Sequence, residues 1–229
     1  MRMRKNGMWA ATLFIAFLSC SNIHALDAGF WPDRGNINSV DRMFMFPYSG
    51  VLDSASDYTQ YAAFLMPAFF ALAAPSTDWM ELGFLYAGSA FLSYGTGSLL
   101  KILVPKDRPY MYYKNPPQGF IDSGDYKTSF PSDHTIMAFT GAAFVSTVFQ
   151  FRYPESPYKM PVIVASYTLA LATAALRVRS GSHFLSDVAV GALIGSFSGF
   201  IVPWLNFTLK KKDVTGVVTP YQASVTFNY

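Results

Sequence analysis

Phe130-Pro131-Ser132-Asp133-His134-Thr135 runs directly into Ile136-Met137-Ala138-Phe139-Thr140-Gly141-Ala142-Ala143-Phe144-Val145, so a polar group stands at the mouth of an apolar run. Pro131-Ser132 reads as a helix start, with Ser132 at the N-cap position. The free N–H groups of such a start, with the helix dipole behind them, favour an anion, and His134 falls in that first turn. Taken alone, His134 reads equally well as a polar residue at a membrane interface. Two more polar groupings interrupt the apolar chain. One is Lys101-Ile102-Leu103-Val104-Pro105-Lys106-Asp107-Arg108-Pro109, and the other is Arg177-Val178-Arg179-Ser180-Gly181-Ser182-His183-Phe184-Leu185-Ser186-Asp187. Fixed cations, two histidines and a carboxylate are what gripping and attacking a phosphate requires.

Around these groupings the composition points to lipid. Of 229 residues, 52% are hydrophobic, 17% aromatic and only 14% charged, where a soluble domain has about 25% charged. A net charge of +3 with no basic stripe argues against a nucleic-acid partner. The single cysteine, Cys20, excludes an intrachain disulfide and a thiolate metal cluster. Five uncharged runs stand out: Tyr58 to Thr77, Leu82 to Leu100, Thr135 to Phe151, Met160 to Leu176 and Val188 to Leu209. A helix crosses the hydrocarbon core with about 17 to 25 mostly apolar residues. The expected fold is therefore all-α, a polytopic membrane bundle of five spans with its active site at one membrane face. Gly88, Ser89, Gly95 and Gly97 in the second run, and Gly191, Gly195 and Gly199 in the fifth, would let helices approach closely. The alternative is a soluble all-helical protein with buried helices, which a mean hydropathy of +0.24 leaves open.

Residues 1–25 read as a signal peptide or an uncleaved anchor: Arg2, Arg4 and Lys5, a short apolar core, then Ile23-His24-Ala25. Cleavage after Ala25, a lipid anchor on Cys20 and retention as a first helix are three readings, and each puts the next segment outside the cytoplasm. His24, in this segment, has no catalytic role. Residues 26–57 form an extracytoplasmic N-terminal segment, 58–209 the helical catalytic domain and 210–229 a C-terminal tail. If all five runs span, Arg152, Lys159 and Lys210-Lys211-Lys212 fall on the side opposite the three groupings. Positive charge prefers the cytoplasm, so the groupings face outward, into the periplasm of a bacterial inner membrane. In the tail, Gln222 to Tyr229 alternates polar and apolar residues as a strand does, with local pairing as one expectation and no order as the other.

Within the groupings, Lys101, Arg108 and Arg177 suit phosphate, Arg as a planar fork and Lys as a compact charge. Each lies at the end of an uncharged run or just past it, where a lone cation could also merely snorkel. His183 and Asp187 are four apart, so on a helix they share a face. Asp187 would then accept a hydrogen bond from one ring nitrogen and leave the other free to attack. In isolation the pair also reads as a capping carboxylate beside an interfacial histidine.

Together the three groupings resemble the signature of the type 2 phosphatidic acid phosphatase superfamily, which includes membrane lipid phosphatases, class A acid phosphatases and vanadium haloperoxidases. Its pattern is K-x6-R-P, then P-S-G-H, then S-R-x5-H-x3-D. Lys101, Arg108 and Pro109 match the first part; Pro131, Ser132 and His134 the second; Arg177, His183 and Asp187 the third. Asp133 stands where the pattern has glycine, and Leu176 where it has serine.

The resemblance implies that His183 attacks phosphorus to give a phosphohistidine, with Asp187 orienting it. His134 would protonate the leaving alcohol and then help activate water. Lys101, Arg108, Ser132 and Arg177 would hold the phosphoryl oxygens, and Asp133 is placed with them as a departure that alters specificity or rate. No metal or cofactor is implied. The expected function is hydrolysis of a phosphorylated membrane lipid: a polyprenyl diphosphate, phosphatidylglycerol phosphate, phosphatidic acid or a lipid A phosphate. A soluble periplasmic acid phosphatase and a non-catalytic lipid binder are the alternatives.

Overall fold

The computed structural model describes residues 32–73, 75–211, 214–219 and 222–227. The signal or anchor segment, with Cys20 and His24, lies outside them. A short helix, α1 (Ser39–Met43), precedes two long ones, α2 (Gly50–Ala73) and α3 (Trp79–Leu103). A long connection containing the short α4 (Gln118–Asp122) leads to α5 (Asp133–Phe151), α6 (Lys159–Arg179) and α7 (Leu185–Lys211). The helical body thus places four of the five expected runs wholly on one long helix each and the first, Tyr58 to Thr77, on α2 as far as Ala73.

α5 is the centre. Ile136, Ala138, Phe139, Ala142, Ala143, Phe144, Val145, Val148 and Phe149 are all buried, and α2, α3, α6 and α7 pack around them. A helix apolar on every side is satisfied by neighbouring helices or by lipid, and here the neighbours surround it. The closest packing is to α7, and glycine permits it. A Cβ on Gly191 would lie 2.8 Å from the Ser132 carbonyl oxygen, and on Gly195 and Gly199 it would collide with the carbonyl oxygens of Ile136 and Thr140. The four-residue spacing on α7 therefore meshes with a four-residue spacing on α5. Gly97 of α3 likewise faces Ile136, whereas Gly95 has nothing within 4 Å and lies on an open face.

The outer faces remain apolar. Phe84, Phe91, Leu193 and Phe197 are each at least 60% exposed. Among the described residues two helices, Lys159–Arg179 and Leu185–Lys210, are long and apolar enough to cross a membrane. The other three dilute their apolar residues with Gly, Ser, Thr and Tyr, and α2 carries Asp53 and Asp57 in its first turns.

The order of the helices brings the polar groupings together. The starts of α2, α5 and α7 and the ends of α3 and α6 all meet at one end of the bundle. Elsewhere in the fold Asp78 binds Arg152 (2.9 Å) and Tyr153 (2.7 Å), and Glu81 binds Lys210 (2.7 Å) and Asn206 (2.6 Å). Beyond α7, strands β1 (Val214–Thr219) and β2 (Gln222–Phe227) form an antiparallel hairpin, with Val214 opposite Phe227 and Thr219 opposite Gln222. The alternating tail thus pairs locally, with the residues just before it.

Candidate active site

His183 sits in the turn between α6 and α7, two residues before α7 begins, and not on the helix as its spacing from Asp187 predicts. Gly181 makes this turn possible. Its φ is +73°, and a Cβ there would collide with the Phe46 carbonyl oxygen, so both backbone and space demand glycine. His183 is 2% exposed. Its Nδ1 lies 2.7 Å from the carbonyl oxygen of Ser129, and its Nε2 lies 3.1 Å from Nη1 of Arg108. A carbonyl only accepts and a guanidinium only donates. Nδ1 therefore carries the proton and Nε2 the lone pair. Burial, then the positive charges of Arg108, Arg177 and Lys101, hold the conjugate acid of His183 well below the usual histidine value.

The cavity beside it, about 250 Å³, is lined by residues from each of the three groupings: Lys101, Arg108, Asp133, His134, Arg177 and His183. Each cation is already held. Lys101 Nζ donates to the carbonyls of Thr128 (2.7 Å) and Pro131 (2.8 Å) and pairs with Asp133 at 3.4 Å. Arg108 binds the carboxylate of Asp125 through Nη2 (2.9 Å to Oδ2) and its carbonyl through Nε (3.0 Å). Burial pushes the Asp125 carboxyl up, but Arg108 and Thr128 more than offset this and hold it below its ordinary value. Arg177 spends Nη1 on Asp53 and Ser56. His134 Nε2 lies 2.7 Å from Oδ1 of Asp57.

Among the described residues, two cavity-lining side chains each carry a buried polar atom without a hydrogen-bond partner, Nε of Arg177 and the hydroxyl of Tyr110. Burial raises the Tyr110 phenol, which keeps it a donor. A buried N–H or O–H left unpaired costs about 1–3 kcal/mol.

Two expected roles change with the geometry. Asp187 does not take the Nδ1 proton: its Oδ2 is 4.0 Å from Nδ1 and instead accepts from Ser129 Oγ (2.6 Å) and the Phe184 N–H (3.0 Å), while Oδ1 accepts from Lys106 (2.7 Å). The physical reason is that His183 precedes the helix, so the four-residue spacing no longer stacks the two side chains. Ser132 occupies the N-cap position of α5 without a side-chain capping bond. It is fully buried, its hydroxyl accepts from Thr135 Oγ1 (3.1 Å) and it is absent from the cavity wall, so it supports the wall from behind.

Asp53, Asp57, Asp125 and Tyr110 line the same cavity and escape a reading of the three motifs. For Asp53 and Asp57 a signal was present. They are four apart, as two carboxylates on one helical face must be, but they fall before the uncharged run that begins at Tyr58. Asp125 and Tyr110 lie in the α3–α5 connection, which has no periodicity to read.

The PAP2 superfamily profile matches residues 82–211 of this chain. A curated relative, the lipid A 1-phosphatase of Porphyromonas gingivalis, is 36% identical over 110 residues, covering 43% of this chain. The match spans 23% of that relative's own length. Among solved structures, Aquifex aeolicus LpxE is 23% identical with a TM-score of 0.49, covering 71% of this chain and 91% of its own. A transmembrane PAP2-type phosphatidylglycerolphosphate phosphatase from Bacillus subtilis is 21% identical with a TM-score of 0.38, covering 71% of this chain and 90% of its own.

Proposed function

Because the chain belongs to the PAP2 superfamily, we propose that it is a phosphatase that removes a phosphate from a membrane lipid through a phosphohistidine on His183. The observation that carries this reading is the buried, neutral His183, whose Nε2 lone pair accepts from Arg108 Nη1 at 3.1 Å beside a cation-lined cavity. In the first step Arg108 transfers this hydrogen bond from Nε2 to a phosphoryl oxygen, and the freed Nε2 attacks phosphorus as the bond to the lipid oxygen breaks. His134, held at 2.7 Å by Asp57, supplies the proton to the leaving oxygen. In the second step water attacks the phosphohistidine, His134 takes the water proton, and inorganic phosphate leaves with Nε2 free again. Lys101, Arg108 and Arg177, which line the cavity, receive the phosphoryl oxygens. Asp133 tempers this charge through its pairing with Lys101.

The five long helices act as spans, with the cavity at the outer face of a bacterial inner membrane. Exposed Phe84, Phe91, Leu193 and Phe197 support lipid contact over a soluble periplasmic form. Lipid A 1-phosphate leads the substrates because the relative named for it shares 36% identity in the matched segment. Polyprenyl diphosphate, phosphatidylglycerol phosphate and phosphatidic acid complete the panel. The test is phosphate release from this panel in detergent, without added metal, beside a His183→Ala variant. Release by the parent and none by the variant is expected; equal release by both overturns the mechanism, and no release by the parent overturns the activity.

A further inference from the structure

Behind the nucleophile, on the side away from the cavity, lies a charge network that joins the motif residue Asp187 to Lys106 and Asp41, to which the pattern gives no role. Asp187 is fully buried and Asp41 is 1% exposed, and Lys106 stands between them, 2.7 Å from Oδ1 of Asp187 and 3.3 Å from Oδ2 of Asp41. Lys106 Nζ also donates to Ser186 Oγ (3.0 Å) and rests over the Phe184 ring (4.4 Å). Asp41, on α1, accepts both the Ser186 N–H (2.8 Å) and the Ser186 hydroxyl (2.6 Å). The backbone of Lys106 is tied in as well. Its carbonyl accepts from the Ser129 N–H (3.0 Å), and it is Ser129 whose own carbonyl takes the Nδ1 proton of His183. One residue thus holds both the acceptor that fixes the imidazole and the carboxylate beside it.

We propose that Lys106 and Asp41 are positioning residues for the nucleophile: both clamp the His183–Asp187 turn, Asp41 through Ser186, and Lys106 offsets the charge of Asp187 so that it does not draw a proton onto the ring. A buried carboxylate with no countercharge is strongly unfavourable, and Asp187, 4.0 Å from Nδ1, would find its nearest relief in an imidazolium. Arg108, Lys101, Arg177 and His134 face His183 from the cavity side and oppose that proton. Lys106 acts from the other side by occupying Asp187. The inference rests on His183 being the nucleophile, but its test does not depend on turnover.

The protein in detergent, with 13C-labelled histidine, is titrated by NMR as parent, Lys106→Met, Lys106→Arg and Asp41→Asn, with His183→Ala to assign the signal. Lys106→Met is expected to move the His183 midpoint upward, Lys106→Arg to return it, and Asp41→Asn to move it downward. With a lipid phosphate, Lys106→Met is expected to lower kcat about 10- to 100-fold, the size of the loss when a group that orients a metal-bound histidine is removed, with KM little changed. An unmoved midpoint in Lys106→Met, or an unmoved or raised midpoint in Asp41→Asn, overturns the proposal. Should Lys106→Met fail to fold, Asp41→Asn decides through its own sign. Should the parent release no phosphate, the activity reading fails while the titration still decides this one.

Discussion

Neutral His183 has its lone pair on Nε2, and the cations around that nitrogen make protonation there unfavourable. The sign for activity follows directly. A lowered pKa means the ring stays unprotonated as the pH falls through the ordinary histidine value of about 6.5, and nucleophilicity is lost only when the pH reaches the lowered value. The acid limb of kcat/KM, which reports the free enzyme, is therefore expected below about pH 6.5 once the substrate's own ionisation is divided out. A limb at or above that value would show that His183 is charged where the geometry makes it neutral. The three motifs made His183, His134 and the cations of the cavity legible because each has internal spacing. The spacing of Asp53 and Asp57 puts them on one face, but which partners they meet is not legible, for a topological reason: Asp53 meets Arg177 across 124 residues and Asp57 meets His134 across 77. No local pattern encodes such a contact.

The elements carry a prediction in the seam between α5 and α7. Gly195 faces the Ile136 carbonyl with no room for a Cβ, whereas Gly95 of α3 faces open space. Gly195→Leu is expected to lower stability by about 1–3 kcal/mol or more, as overpacking does, and Gly95→Ala to be neutral or slightly stabilising, since alanine favours helix. Thermal unfolding of both in one detergent measures the contrast, and equal behaviour would contradict the seam. The helices themselves were readable as uncharged runs, but their ends were not. α2 begins at Gly50 and not near Tyr58 because its first two turns carry Asp53 and Asp57 into the cavity. α6 likewise runs on through Arg177 to Arg179. Where a helix must deliver charge to a site, the absence of charge marks its middle and misses its tip.

For the whole molecule, the arrangement of the long helices separates two sets of connections. Asn115 lies in the α3–α5 connection that covers the cavity, and Glu155 lies in the α5–α6 connection, one helix length away. With Cys20→Ser as background, Asn115→Cys is expected to react in intact spheroplasts with a maleimide that cannot cross the membrane. Glu155→Cys is expected to react only after permeabilisation. The reverse pattern would invert the proposed orientation, and labelling of both in intact cells would contradict five spans.

In the proposed mechanism, the Ser129 carbonyl that holds Nδ1 of His183 also decides which covalent isomer can form. Phosphohistidine exists as a pros adduct at Nδ1 and a tele adduct at Nε2, and the two differ in lability and in antibody recognition. With Nδ1 committed to a main-chain oxygen at 2.7 Å, the phosphoryl group can be received only at the tele nitrogen. An intermediate trapped by rapid denaturation should therefore be the tele form alone.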